Sequence, residues 1–493
     1  MKNIVTGVIA NKRLYVLIFT CLSCFTTIKA QDEITILQNQ RELFVDDFLI
    51  EETQKLDFRL ATPVSGGKVM EFHEPWEGHF CAYVTIIPDG RLFHMYYRGL
   101  QDQQEVTCYA VSADGIHWSK PQLGLYEVNG TLENNVILPD NPQKSTHNLS
   151  IMYDNREGVP QEEKFKAMGG HIRSGGLYRY ISADGIHWNR YQDTTGLFGE
   201  LPLDSHNILS WIPSENQFAV YMRDWIASEP GNVFSGIRTI SRATSKDFKN
   251  WTEPVRMDFG DTPPEHLYTN ATHPYFRAPQ ILIAMPFRFT PDKQVLSEDE
   301  LISFDVDPTQ RKGVSDAVLM TSRGGNKYDR KYLTSFVRPG KDQRNWAARS
   351  NMPAMGVIPT GEREMSFFVI RAYGTPDVYL ERMVLRKDGF ASLHADFEEG
   401  SAISKPLILK GDILKANYST STKGYVKVVI LDEKGNEVPG YGEADAIPAI
   451  GDQIDGTLSW QSGKTLQALG GKKVRIKFII KDADLYSFGV FDK

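Results

Sequence analysis

The sequence predicts an all-β protein, a five-bladed β-propeller followed by a C-terminal β-sandwich. Three observations carry this reading. The heptapeptide Ser-Ala-Asp-Gly-Ile-His-Trp occurs at 112–118 and again at 182–188. A looser copy (Ser-Lys-Asp-Phe-Lys-Asn-Trp) lies at 245–251, a decayed one at 322–328, and a trace at Lys387-Asp388-Gly389-Phe390. The spacing of about 60 to 80 residues marks a repeat architecture. Each copy follows an alternating apolar run and contains a turn signal, and helix-period patterns are scarce.

Each repeat has one grammar. A first strand opens on polar residues and turns apolar. A second strand, rich in Tyr, Phe and Met, ends in a basic residue. A third runs into the Ser-x-Asp-Gly signal, and the Trp opens a short outer strand. In the first repeat the three strands are expected at 79–87, 92–97 and 107–111. Second strands of the later repeats are expected at 164–168, 217–222, 281–287 and 365–370. Near Ala391 the grammar changes to plain alternating strands at 424–431, 456–460, 473–480 and 485–491. The propeller is therefore expected over 31–390 and the sandwich over 391–493, with 386–390 as a hinge.

Length and charge narrow the class. A chain of 493 residues exceeds one simple core, so two domains are expected. A net charge of −7 argues against a nucleic-acid binder. Residues 1–30 read as a signal peptide: Lys2, Lys12 and Arg13, an apolar run over 14–25, and Ala30 before the cut. That run is too short to span a bilayer, so no membrane span is expected. The chain is expected to be exported, periplasmic or secreted. Lipidation at Cys24, giving a surface lipoprotein, is the alternative. Cys81 and Cys108 then remain, as buried thiols or as a disulfide.

Propeller geometry places chemistry at the starts of first strands and the ends of second strands. The starts supply Glu77 and His79, His147, Asp204 and His206, Glu265 and Tyr268, and Arg349 with Asn351. The second-strand ends supply Arg98, His171, Arg223 with Asp224, Arg288 and Arg371. A basic group at each equivalent place suggests a rim that holds an anion, because Arg grips carboxylate or sulfate in a bidentate way. Hydrolysis of a glycosidic bond needs two carboxyl groups facing each other. Glu77 and Asp204 are the expected pair, with Asp224 tuning them. Asp46 and Asp47 form an odd double Asp within an apolar run, and Asp47 is a candidate for substrate contact.

The five-repeat grammar, the Arg223-Asp224 pair and the β-rich tail resemble the five-bladed propeller superfamily of glycoside hydrolases, which includes invertases, levanases and arabinanases (families 32, 43 and 68). The segments 43–51 and 480–488 resemble a poorly characterised exported bacterial branch. The invertase Trp-x-Asn-Asp-Pro-Asn motif is absent, which argues against fructan substrates.

The resemblance implies an exported glycoside hydrolase acting on an acidic or decorated oligosaccharide or polysaccharide. Catalysis is assigned to Glu77, Asp204 and Asp224. Substrate contact is assigned to Asp47, His79, Arg98, His147, His171, His206, Arg223, Glu265, Tyr268 and Arg288. The alternatives are a non-catalytic glycan-capture propeller and a polysaccharide lyase using His147, His206 or Tyr268. No organic cofactor or nucleic-acid partner is expected. An axial Ca2+ stays open, although no ligand-rich loop predicts one.

Overall fold

The structure is a computed structural model that describes residues 34–139, 144–191, 195–232 and 235–493. The expected signal peptide and Cys24 lie outside the described residues. The described chain is nearly all β, with one six-residue α-helix, Glu298–Ser303, and a few 3-10 turns. None of its helices is long and apolar enough to cross a membrane.

The repeats appear as consecutive antiparallel sheets. The first orders Ala82–Pro88, Phe93–Gln101, Gln104–Ser112 and Val136–Pro139. The second is built on Ser150–Tyr153, Phe165–His171 and Gly176–Ser182. The third is built on Ile208–Ile212, Gln217–Ile226 and Ile237–Ser245. The fourth is split into two three-stranded sheets, because its second strand breaks into Ala278–Ala284 and Phe287–Thr290 around Pro286. Proline lacks the N–H that would continue the ladder. The last is built on Met352–Pro353, Glu364–Arg371 and Tyr379–Arg386, and its outer strand is Val64–Glu71 from near the N-terminus.

The Ser-x-Asp-Gly signal is turn chemistry. Ser112 Oγ accepts the N–H of Gly115 at 2.9 Å, and Asp114 Oδ1 accepts those of Ile116 and His117 at 2.8 Å. Ser182, Asp184, Gly185, Ile186 and His187 repeat the pattern at 2.8–2.9 Å. Each turn docks on the preceding repeat. A Cβ on Gly185 would lie 2.3 Å from Tyr96 Oη, and one on Gly115 would lie 2.5 Å from Ile358 of the last repeat. In the third repeat the carbonyl of Phe248 accepts Arg179 Nη1 from the second. In the fourth, the N–H of Gly325 donates to Glu215 of the third. The contacts therefore run in cyclic order. First strands also lie side by side, and Thr85 bridges Met355.

The tail forms a ten-stranded sheet dominated by two 19-residue strands, Ile413–Leu431 and Lys473–Phe491. The two strands expected at 473–480 and 485–491 are one. The expected boundary also needs correction. Thr35–Leu37, Gln40–Leu43, Ile50–Gln54 and Asp57–Leu60 all pair within this sheet, so the start of the expected propeller segment belongs to the tail domain. Phe44 stacks on Phe488 inside its core.

The segment expected as a hinge is instead a buried junction. Asp388 is fully buried and accepts Tyr275 Oη at 2.8 Å, Ser487 Oγ at 2.7 Å and Asn417 Nδ2 at 3.2 Å. Arg277 Nε and Arg41 Nη1 lie 3.2 and 3.4 Å from it. Cys81 and Cys108 are buried free thiols.

Candidate functional site

The entries to the first strands of all five repeats meet in one polar cluster. They supply Tyr83, His147, Asp204, Tyr268 and Arg349. Second-strand ends add Arg98, His171 and Arg223, three of the five basic groups expected there. The backbone is unusual at this centre: Tyr83, Asn148, Arg349 and Asn351 have φ of 54°, 48°, 61° and 67°. Side chains other than glycine rarely adopt this region, and such positions gather at functional sites.

Asp204 is the carboxylate at the middle of the cluster. Its side chain is 44% exposed, with Oδ1 3.3 Å from His147 Nε2 and 3.9 Å from His171 Nε2. Burial alone would raise its pKa, but the His147 hydrogen bond and the Arg223 charge hold it below the usual carboxylate range. Asp204 is therefore ionised at neutral pH.

His147 sits between two carboxylates. Its Nδ1 is 2.6 Å from Glu105 Oε2, and Glu105 is buried. Burial disfavours the imidazolium, but the Glu105 charge and the Asp204 hydrogen bond raise the pKa to about 9. Burial raises and the His147 charge lowers the pKa of Glu105, to about 2 overall. Asn148 Nδ2 lies 2.9 Å from His147 Nε2, while Asn148 Oδ1 accepts Arg98 Nη1 at 3.0 Å. Neutral His147 thus accepts from Asn148, and protonated His147 donates to Asp204, so Nε2 has a partner in both states.

His171 is the neutral counterpart. The N–H of Arg173 donates to its Nδ1 at 2.9 Å, which leaves the ring proton on Nε2, facing Asp204. Burial and the His147 charge lower its pKa to about 4. His206 is buried edge-on to Tyr83, with burial lowering its pKa to about 3.

Four arginines surround this group. Arg98 donates to Tyr373 Oη at 2.9 Å and lies over the Tyr83 ring at 4.5 Å. Arg223, Arg238 and Arg349 lie 4.0, 4.9 and 5.7 Å from the centre of the Tyr268 ring. Burial would raise the Tyr268 pKa, but Arg223 and Arg349 lower it to about 8.

Other expected site residues stand elsewhere. Glu77 is fully buried, 2.6 Å from Lys120 Nζ and accepting Tyr97 Oη at 2.6 Å. The expected Glu77–Asp204 pair therefore does not face one opening, because a Lys reaches Glu77 from the outer part of its own repeat. Asp224 accepts Ser241 Oγ at 2.7 Å and Arg256 Nε at 2.8 Å. Arg288 pairs with Asp316 at 2.7 Å and with Glu265 at 3.0 Å, and Glu265 also holds Arg330. Arg371 pairs with Glu381 at 2.6 Å. Asp47 pairs with Lys331 on the fourth repeat. His79 lines a separate cavity of about 290 Å³ with Phe80 and Asp307.

Sequence reasoning missed Glu105, Arg238 and Tyr373, and it left Arg349 out of the site. Glu105 and Arg238 belong to third strands, which the grammar assigned no chemistry. Tyr83 lies one residue inside its strand, and only its positive φ marks it.

His147, His171 and Asp204 offer donors within 4.8 Å of one another, the geometry of a candidate metal centre among the described residues. The set does not suit a Ca2+ ion, which takes six to eight oxygen ligands. Two of these three donors are imidazole nitrogens, and His171 Nε2 carries a proton.

No protein-family model matches the chain. No curated protein matches it either. Solved structures similar to it are glycoside hydrolases of the propeller superfamily and other sugar-acting proteins. A glycosyl hydrolase from Bacteroides ovatus is 12% identical over 66% of this chain and 93% of its own, at a TM-score of 0.37. An N-acetylgalactosamine deacetylase from F. plautii, solved with blood group B trisaccharide, is 11% identical over 68% and 96%, at 0.42. A fructofuranosidase from Schwanniomyces occidentalis is 9% identical over 87% and 99%, at 0.37. These scores transfer neither residues nor reaction to this chain.

Proposed function

We propose that this chain is an exported, carbohydrate-acting enzyme of glycoside hydrolase type, working on an acidic or decorated glycan at the Asp204 cluster. The accompanying fold reading is a five-bladed propeller carrying a β-sandwich. The cyclic docking of the Ser-x-Asp-Gly turns supports it. One observation carries the function: Asp204 is ionised and partly open, beside two imidazoles and within the field of arginines that have no carboxylate hydrogen-bond partner.

In this reading Asp204 is the base or nucleophile at the anomeric carbon. Tyr268 is the proton donor to the leaving oxygen, since a phenol with a pKa of about 8 is protonated yet acidic at neutral pH. His147 and His171 orient Asp204 and bind sugar hydroxyls.

The test is a screen of neutral, uronate-containing and sulfated oligosaccharides for new reducing ends. Cleavage of any of them that disappears in Asp204→Asn supports the reading. Tight binding without cleavage across the panel would replace it with glycan capture. Unsaturated uronate products would replace it with elimination.

A further inference from the structure

Arg223, Arg238 and Arg349 differ from Arg256, Arg288, Arg330 and Arg371. The latter four each have a carboxylate partner. Among the described residues, no carboxylate comes within 4.0 Å of Arg223, Arg238 or Arg349. Their hydrogen-bond partners are weak or neutral. Arg223 Nη2 reaches the Tyr268 carbonyl at 3.5 Å, Arg238 Nη1 lies 3.3 Å from His266 Nδ1, and Arg349 Nη1 donates to Gln310 Oε1 at 2.6 Å. The Nε–H of all three is buried and has no partner.

Three cations around one aromatic ring repel one another, and a buried donor without an acceptor is costly. The cluster sits in a protein with a net charge of −7, so the basic charge is local. Aromatic faces offset part of the cost: Arg238 also lies 4.3 Å from the Trp225 ring. They leave the Nε–H of each guanidinium without an acceptor. A guanidinium fork matches two oxygens of one oxyanion.

We propose that Arg223, Arg238 and Arg349 form a subsite for a single oxyanion, a carboxylate or a sulfate ester, carried by the sugar that binds against Tyr268. This deepens and rests on the reading of the chain as a sugar-acting enzyme. It places the negative charge on the reacting sugar rather than on a distant decoration.

The test is calorimetric binding with the full mature chain. The probes are short oligosaccharides ending in glucuronate or galacturonate, their methyl esters, and the matching neutral and 6-sulfated sugars. The expected result is binding of at least one acid about tenfold or more tighter than its methyl ester. Arg349→Gln and Arg238→Gln should each weaken binding of the acid by a similar factor and that of the neutral sugar by clearly less. Thermal unfolding of both variants checks that they fold. Preference for the sulfated probe over both uronates keeps the subsite and names sulfate as its occupant. Equal binding of the acid, ester, sulfated and neutral probes, or equal losses for charged and neutral probes, overturns the proposal. Its failure is separable from that of the enzyme reading: acids bound but never cleaved sink only the latter, and a neutral glycan cleaved while every anion is ignored sinks only the subsite.

Discussion

His147 Nε2 lies 3.3 Å from Asp204 Oδ1, while His147 Nδ1 lies 2.6 Å from Glu105. The imidazole therefore joins a buried carboxylate to a partly open one, and the two shift its proton affinity in the same direction. This pairing brings together a third strand of the first repeat and the first-strand entries of the second and third.

Stability should depend on pH through this imidazole. The folded pKa of His147 is about 9, above its ordinary 6.5. A raised pKa stabilises the fold fully below the unfolded value and loses that contribution as pH rises through the folded one. The Tm of the wild type should therefore fall more steeply between pH 6.5 and 9 than that of His147→Gln. Tyr268 contributes in the opposite sense above pH 8, because its folded pKa is lowered. Parallel Tm profiles for wild type and variant would contradict the assignment.

Activity should carry its own signature. The pH profile of kcat/KM reports groups of the free enzyme. With Tyr268 as donor it should decline above about pH 8. Tyr268→Phe should lower kcat/KM by about 10²–10⁴-fold and remove that limb. A decline that persists unchanged in Tyr268→Phe would assign it to another group.

Glu77 should behave as a structural residue. Its side chain is fully buried against Lys120. Breaking such a pair from one side costs about 3–5 kcal/mol. Glu77→Gln should therefore lower Tm, while the double variant Glu77→Gln/Lys120→Met recovers part of the loss. Turnover per folded molecule should stay near normal. Lost turnover at unchanged Tm would return Glu77 to the catalytic machinery.

The repeat sheets and the ten-stranded tail sheet should unfold together through Asp388. It accepts from Tyr275 on one side and from Ser487 and Asn417 on the other. Asp388→Ala leaves Arg41 and Arg277 paired with Asp455 alone and removes the acceptor of Tyr275 and Ser487, at about 1–3 kcal/mol for each buried donor left unsatisfied. Calorimetry should show one transition in wild type and two in the variant. A single transition at unchanged temperature would show that the junction does not couple them.

Much of the fold was legible because its signals are local. Ser112 and Asp114 form their turn within six residues, so the chemistry can be read from the sequence alone. The rule that first-strand entries carry the site led to His147, Asp204 and Tyr268 for the same reason. What failed depends on long-range partners. Asp224 looks free until Arg256 arrives from the outer strand, and Glu77 until Lys120 does. The strand Gln40–Leu43 pairs with a segment near the far end of the chain, beyond any periodicity argument. Arg349 stands at a first-strand start, as the grammar placed it, but its φ of 61° and its place over Tyr268 depend on the folded chain.

The most direct test of the account is Asp204→Asn on the cleaved substrate. The substitution keeps the shape of the side chain and removes its charge. The account predicts a fall in kcat of about 10²–10⁴-fold with glycan binding close to wild type, and a lower Tm at pH 6, because the carboxylate that His147 and Arg223 hold ionised is lost. Turnover within a fewfold of wild type would contradict it.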